Sequence, residues 1–158
     1  MGRLWMVMAA VAAALLGLGA EARADSLTRS GGVLTFTGDA TQSSSVSVGY
    51  FTGDVEFDAS RAISPLPADC SPVTMAGDWV SCSLAVTRVD ITLGNGNDFA
   101  SGAELAVPMR ISGGEGGDDL RGGRQPDDVD GGGGNDTLTG DGYFEGSPGS
   151  HDDLDGGA

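Results

Sequence analysis

Three aspartates, Asp118, Asp127 and Asp136, stand nine residues apart, each behind a glycine-bearing run. Written in nines, residues 113–121 read GGEGGDDLR, 122–130 read GGRQPDDVD and 131–139 read GGGGNDTLT. Aspartate holds the sixth place each time, and an aliphatic residue (Leu120, Val129, Leu138) holds the eighth. Outlying copies, LGNGNDFAS at 93–101 and GSHDDLDGG at 149–157, contribute Asp98 and Asp152. A flexible acidic linker has no reason to keep such a register. Glycines at places one, two and four permit positive φ, so a tight turn can aim its carbonyl oxygens inward and hold the aspartate at its edge. Those oxygens are the ligands of a hard cation, and Ca²⁺ takes about six to eight, more than one turn offers. Two stacked turns can supply them. The last three places form a very short strand whose aliphatic faces inward, and one such unit cannot bury its apolar face unless units stack.

The units resemble the RTX, or haemolysin-type, calcium-binding nonapeptide repeat, G-G-x-G-x-D-x-U-x. The match is close at 113–118 and 131–136, good at 94–98, partial at 122–127 and loose at 149–152. The resemblance implies an all-β chain: a parallel β-roll (β-solenoid) of calcium-binding nonapeptide repeats over 91–158, preceded by a short β-rich N-terminal region. It implies Ca²⁺ as cofactor and partner, bound by aspartates and backbone carbonyls of turns two repeats apart. Carried onto this chain, the ligands are Asp98, Asp118, Asp127, Asp136 and Asp152, with Asn95, Gly113, Glu115, Gly131 and Gly133 from the turns. The spacing suggests one column of Asp98, Asp118, Asp136 and Asp152, with Glu104, Asp127 and Glu145 opposite. Pro126 restricts Gln125 to extended conformations, so the 122–127 turn cannot copy its neighbours. One calcium-bearing edge and one degenerate edge are the expectation.

The ends and the composition set the context. Residues 1–24 open with Arg3, continue as an apolar run from Leu4 to Leu18 and close on Ala22-Arg23-Ala24. That pattern is a secretory signal peptide cleaved after Ala24, too short in its apolar part to span a bilayer. A secreted, extracellular chain with no transmembrane segment after cleavage is expected. The whole sequence carries a formal charge of −15 and no lysine. Residues 25–90 hold eight acids and three arginines, and residues 91–158 hold fourteen and three. Such a surface repels nucleic acid and suits a cation. Cys70 and Cys82 are the only cysteines. In an exported chain that pairing is a structural disulfide, since no C-x-x-C or nearby histidine points to redox or metal chemistry.

Region 25–90 reads as β. Residues 31–40 alternate, 44–60 give two runs broken at Gly53-Asp54, and 84–94 is the strongest strand. The proline-containing stretch 64–79 reads as loop, and Trp79 is expected in the core beside the disulfide. No stretch sustains a helical period. Neither an EF-hand nor a dinucleotide-binding turn is completed, and the single histidine, His151, lacks catalytic or zinc partners. The expectation is therefore a non-enzymatic secreted calcium-binding module. The alternatives are a structural or adhesive cell-surface spacer, or an accessory part of a larger secreted enzyme or toxin. The ending Gly156-Gly157-Ala158, which opens a further repeat, fits a fragment of a longer protein.

Overall fold

The computed structural model describes residues 24–51, 53–83, 85–140 and 152–158. Among them the chain forms strands β1 (Ser26–Ser30), β2 (Val33–Thr37), β3 (Ser45–Phe51), β4 (Asp54–Ala59), β5 (Cys70–Pro72), β6 (Trp79–Cys82) and β7 (Arg88–Asn95). They continue as β8 (Phe99–Ser101), β9 (Met109–Glu115), β10 (Asp119–Arg121), β11 (Asp128–Gly133), β12 (Thr137–Thr139) and β13 (Asp153–Asp155). The described residues contain no helix. None is therefore long and apolar enough to cross a membrane. Residues 1–23, which hold all but the last residue of the expected leader, and His151 lie outside the described residues.

From β7 onward the chain changes sheet after every strand. Glycine–aspartate turns carry it across after β7, β9 and β11, so neighbours within a sheet are two units apart and run parallel. Ile91 lies beside Ile111, and Ile111 beside Val129. In the other sheet Ala100, Leu120 and Leu138 stand in one row. The parallel strands do not, however, make the expected parallel β-roll. Both sheets are mixed. One runs β1-β2-β7-β9-β11-β13 and the other β12-β10-β8-β3-β4-β6-β5. The pairs β1/β2, β3/β4, β4/β6 and β5/β6 are antiparallel, and they join the repeat strands directly through β2/β7 and β3/β8.

Connection length explains the correction. Gly31-Gly32 alone links β1 to β2, and two residues link Phe51 to Asp54, with Gly31 and Gly53 at positive φ. A two-residue link can only reverse a strand.

One core lies between the sheets. Leu34, Phe36, Val89, Ile91 and Ile111 reach it from the first sheet, and Val46, Phe57, Val80 and Leu120 from the second. The rings of Phe36 and Phe57 stack across it, centroids 6.3 Å apart. Toward the last strands it thins: Leu138 is partly buried and Leu154 is exposed.

The stretch read as loop instead supplies β5 and the start of β6, and the opposed residues Cys70 and Cys82 of these strands form a disulfide. Closing a loop of this size stabilises by about 3 kcal/mol on the chain-entropy estimate. Trp79 is not in the core. Val80 and Cys82 take the inward positions of β6, so Trp79 points outward and its Nε1–H donates to Glu56 Oε2 at 2.9 Å.

Because the aromatic pair joins the sheets at their thickest point, Phe57→Ala is expected to cost about 3–5 kcal/mol. Leu154→Ala, at the thin end, should cost under about 0.5 kcal/mol. Denaturant unfolding followed by circular dichroism measures both.

Candidate cation site

The turns between the sheets stack in two columns, tied by one repeated hydrogen bond. In the first column Asp98 Oδ1 accepts the N–H of Ser44 at 2.5 Å, Asp118 Oδ1 that of Asp98 at 2.8 Å, and Asp136 Oδ1 that of Asp118 at 2.9 Å. Each carboxylate thus holds the backbone of the turn two units earlier. In the second column Asp127 Oδ1 accepts from Met109 N–H at 2.8 Å, and Asp152 Oδ1 from Asp127 N–H at 2.9 Å.

Asp152 therefore belongs with Asp127 and not with Asp98, Asp118 and Asp136. β13 pairs with β11, and that places Asp152 on the Asp127 edge. Glu145 lies outside the described residues. Glu104 points to solvent and pairs with Arg124.

The glycines act in two different ways. Gly114, Gly116, Gly132 and Gly134 take φ between 91° and 135°, the left-handed region that the turn requires. Gly113 and Gly131, at place one, do not. A Cβ on Gly113 would collide with Asp118 Oδ2 and stand 2.7 Å from the Gly131 carbonyl oxygen. Glycine at place one thus leaves a cradle in which a carboxylate oxygen and a carbonyl oxygen of the next turn approach each other. Asn95, Glu115 and Gly133 share one register at the turn tips. The Glu115 and Gly133 carbonyls each accept an N–H, from Gly96 and Gly116, at 2.7 Å.

The second carboxylate oxygen distinguishes the columns. Oδ2 of Asp98, Asp118 and Asp136 is buried with no hydrogen-bond partner. Asp127 Oδ2 instead accepts the Gly123 N–H at 2.5 Å. Asp98 and Asp118 are only 3% and 2% exposed, and burial pushes both carboxyls above the ordinary carboxylate value. At Asp98 the bond from Ser44 and the charge of Arg61 oppose that shift. At Asp118 the bond from Asp98 N–H opposes it, while the charges of Asp98 and Asp136 add to it. A buried carboxylate lacking a partner costs several kcal/mol unless a proton or a cation neutralises it.

At the head of this column the chain supplies its own cation. Arg61 Nη2 donates to Asp25 Oδ1 at 2.9 Å and to Ser44 Oγ at 2.7 Å, and Nη1 to the Ser43 carbonyl at 3.0 Å. Ser44 occupies the aspartate's place in the 38–44 turn, since a Cβ on Gly38 would collide with its hydroxyl. Sequence reasoning missed Asp25, Ser44 and Arg61. Only Gly38-Asp39 hinted that the N-terminal half contributes a turn to the column.

The donor set of the first column fits a hard cation. The orphaned Asp118 Oδ2 shares the Gly113 cradle with the Gly131 carbonyl oxygen, and a groove of about 350 Å³ lined by Asn97, Asp98, Gly117, Asp118 and Asn135 gives access. Among the described residues no three carboxylate, thiol or imidazole side chains converge on one point. Carbonyl oxygens would therefore supply most of the ligands. Compared with family models, with curated proteins and with solved structures, the chain gives no match.

Two outcomes are expected. The folded chain holds protons on Asp98 and Asp118 more tightly than the unfolded chain does. Their contribution to stability therefore rises as pH falls through their raised pKa values and levels off below the unfolded value. With chelator present, thermal melts should shift upward from pH 7 toward pH 5, and Asp118→Asn should flatten that dependence. Arg61→Ala, which leaves Asp25 buried without its counter-charge, should cost about 3 kcal/mol in denaturant unfolding.

Proposed function

We propose that this chain is a secreted, non-enzymatic calcium-binding module whose working site is the Asp98–Asp118–Asp136 column. One observation carries the reading: three stacked aspartates bury an unpartnered Oδ2, and that of Asp118 lies in a glycine-made cradle that the Gly131 carbonyl oxygen faces. The likeness of these turns to the RTX-type nonapeptide repeat supports it, as does the surplus of acids over arginines across 91–158. When bound, Ca²⁺ supplies the positive charge that lets these carboxylates stay ionised in a dry setting. The chain's own residues do the rest. Oδ1 of each aspartate holds the turn above, glycine at place one keeps the cradle open, and turn carbonyls complete the oxygen set. The best site lies between turns 113–118 and 131–136, where both turns follow the repeat without a break.

The shared core changes how binding and folding are linked. The repeat strands adjoin β2 and β3, so their aliphatic residues belong to a core that the N-terminal half completes. The metal-free chain is then already β-rich, and Ca²⁺ adds stability by mass action. Extracellular calcium modules work at about 10⁻⁴–10⁻³ M, which allows loading outside the cell.

The test is a Ca²⁺ titration of the chelated protein, followed by thermal melts and far-UV circular dichroism, with Mg²⁺ as control. A saturable rise in Tm, selective for Ca²⁺, is expected. Loading at about 100 times Kd gives roughly 2.7 kcal/mol of added stability. Asp118→Ala and Asp136→Ala should lose most of that response, and Asp119→Asn, which changes an outward carboxylate, should keep it. An identical Tm with and without Ca²⁺ would sink the proposal.

A further inference from the structure

The outer faces of the two sheets handle charge differently. On the first sheet, Arg88, Asp90, Arg110 and Asp128 alternate across neighbouring strands and pair with one another. On the second, a groove of about 350 Å³ opens over β3 and β4. Its floor is Gly49, above which a side chain would meet nothing. Trp79 and Phe51 stand along it, 37% and 63% exposed, and Glu56, Asp58 and Glu104 supply carboxylates. Strand register makes this arrangement: Gly49 lies opposite Glu56, and Asp58 lies between Ser47 and Trp79.

We propose that this groove binds an organic cation, an ammonium or guanidinium group on an aliphatic stem. Three features of the groove select that class. Carboxylates line it and no arginine does, and of those carboxylates Glu104 pairs with Arg124. Its polar side chains accept hydrogen bonds, and the hydroxyls of Ser47 and Ser101 add further acceptors. A cation that donates hydrogen bonds therefore suits it better than a quaternary ammonium. Trp79 offers the aromatic face that attracts a cation most strongly, while Phe51 and Tyr50 offer apolar surface to a stem. The same sheet already uses this contact internally, with the Arg121 guanidinium 5.6 Å from the Phe99 ring centre. A metal ion is the poorer occupant, because the three carboxylates do not converge on one point. A second copy of the chain could offer a guanidinium but no lysine ammonium, as the sequence contains no lysine. The groove's volume falls in the range of small-ligand sites. None of this depends on the calcium column.

Trp79 makes the test direct. The chain has two tryptophans, Trp5 and Trp79, so Trp5→Phe leaves emission from the groove alone. The protein in calcium-containing buffer, with its fold checked by circular dichroism, is titrated with cadaverine and with a blocked lysine-containing peptide. An acidic peptide and cellobiose serve as comparisons. Saturable change of Trp79 emission with a cationic probe, weakened by added salt, is the expected result. Glu56→Gln and Asp58→Asn should each weaken it about tenfold with Tm unchanged. Binding by both cationic probes identifies a free amine as sufficient, and binding by the peptide alone identifies a protein segment as the source. Saturation by cellobiose but by neither cation would overturn the proposal. So would no response to either cation, or unchanged affinity in both charge-removal variants.

Discussion

The hydrogen bond from a backbone N–H to an aspartate Oδ1 two units further along governs the arrangement of this molecule. Through it Asp98, Asp118 and Asp136 each fasten the turn before, and the fastened turns hold the parallel strands in register. Reaching that N–H takes the carboxylate out of water. One oxygen is then paired and the other is left without a partner. Asparagine could make the same bond without the charge. Aspartate there commits the fold to neutralising a buried anion, by proton or by cation. The chain meets the same demand in another way at the head of the column, where Ser44 replaces the aspartate and Arg61 brings a guanidinium to Asp25. In the second column a backbone N–H takes the spare oxygen of Asp127.

This difference between the columns follows from backbone geometry as much as from side chains. Gly114 and Gly116 in one turn and Gly132 and Gly134 in the next share positive φ and stack carbonyl against glycine. Pro126 denies the 122–127 turn that conformation, and the Gly123 N–H turns toward Asp127 instead. The irregular turn, with Gln125 and Pro126 in place of the repeat's usual residues, thus bonds its own carboxylate where the regular turns leave theirs wanting a partner. The two halves of the chain are joined just as closely. β2 and β3 continue the repeat sheets without a gap, and Phe36 and Phe57 cross the core that the repeat aliphatics line.

Much of the local structure was legible in residue order. Alternation in 31–37 and 88–93, the turn at Gly53 and the nine-residue beat of glycine, aspartate and aliphatic each reflect a period or a backbone demand that acts within a few residues. The Cys70–Cys82 pairing was legible from cysteine number alone. The strands β5 and β6 were not, because prolines and glycine in 64–79 mask their approach, and the pairing of β6 with β4 and of β5 with β6 is what makes them strands. Trp79 was misread because β6 is too short for its alternation to declare which face is inward.

Sequence alone determined where the turns fall, which residues are acidic and which aliphatics point inward, since sterics and periodicity need only near neighbours. Tertiary structure decided the rest. It made the sheets mixed, because two-residue links reverse strands that then meet the repeats edge to edge. It moved Asp152 to the Asp127 edge, because the pairing of β13 with β11 overrides a count of residues. It also brought Asp25, Ser44 and Arg61 to the head of the aspartate column, across tens of residues of chain. Whether a carboxylate is buried, and what stands beside it, depends on contacts between segments far apart in sequence, and no local pattern encodes those contacts.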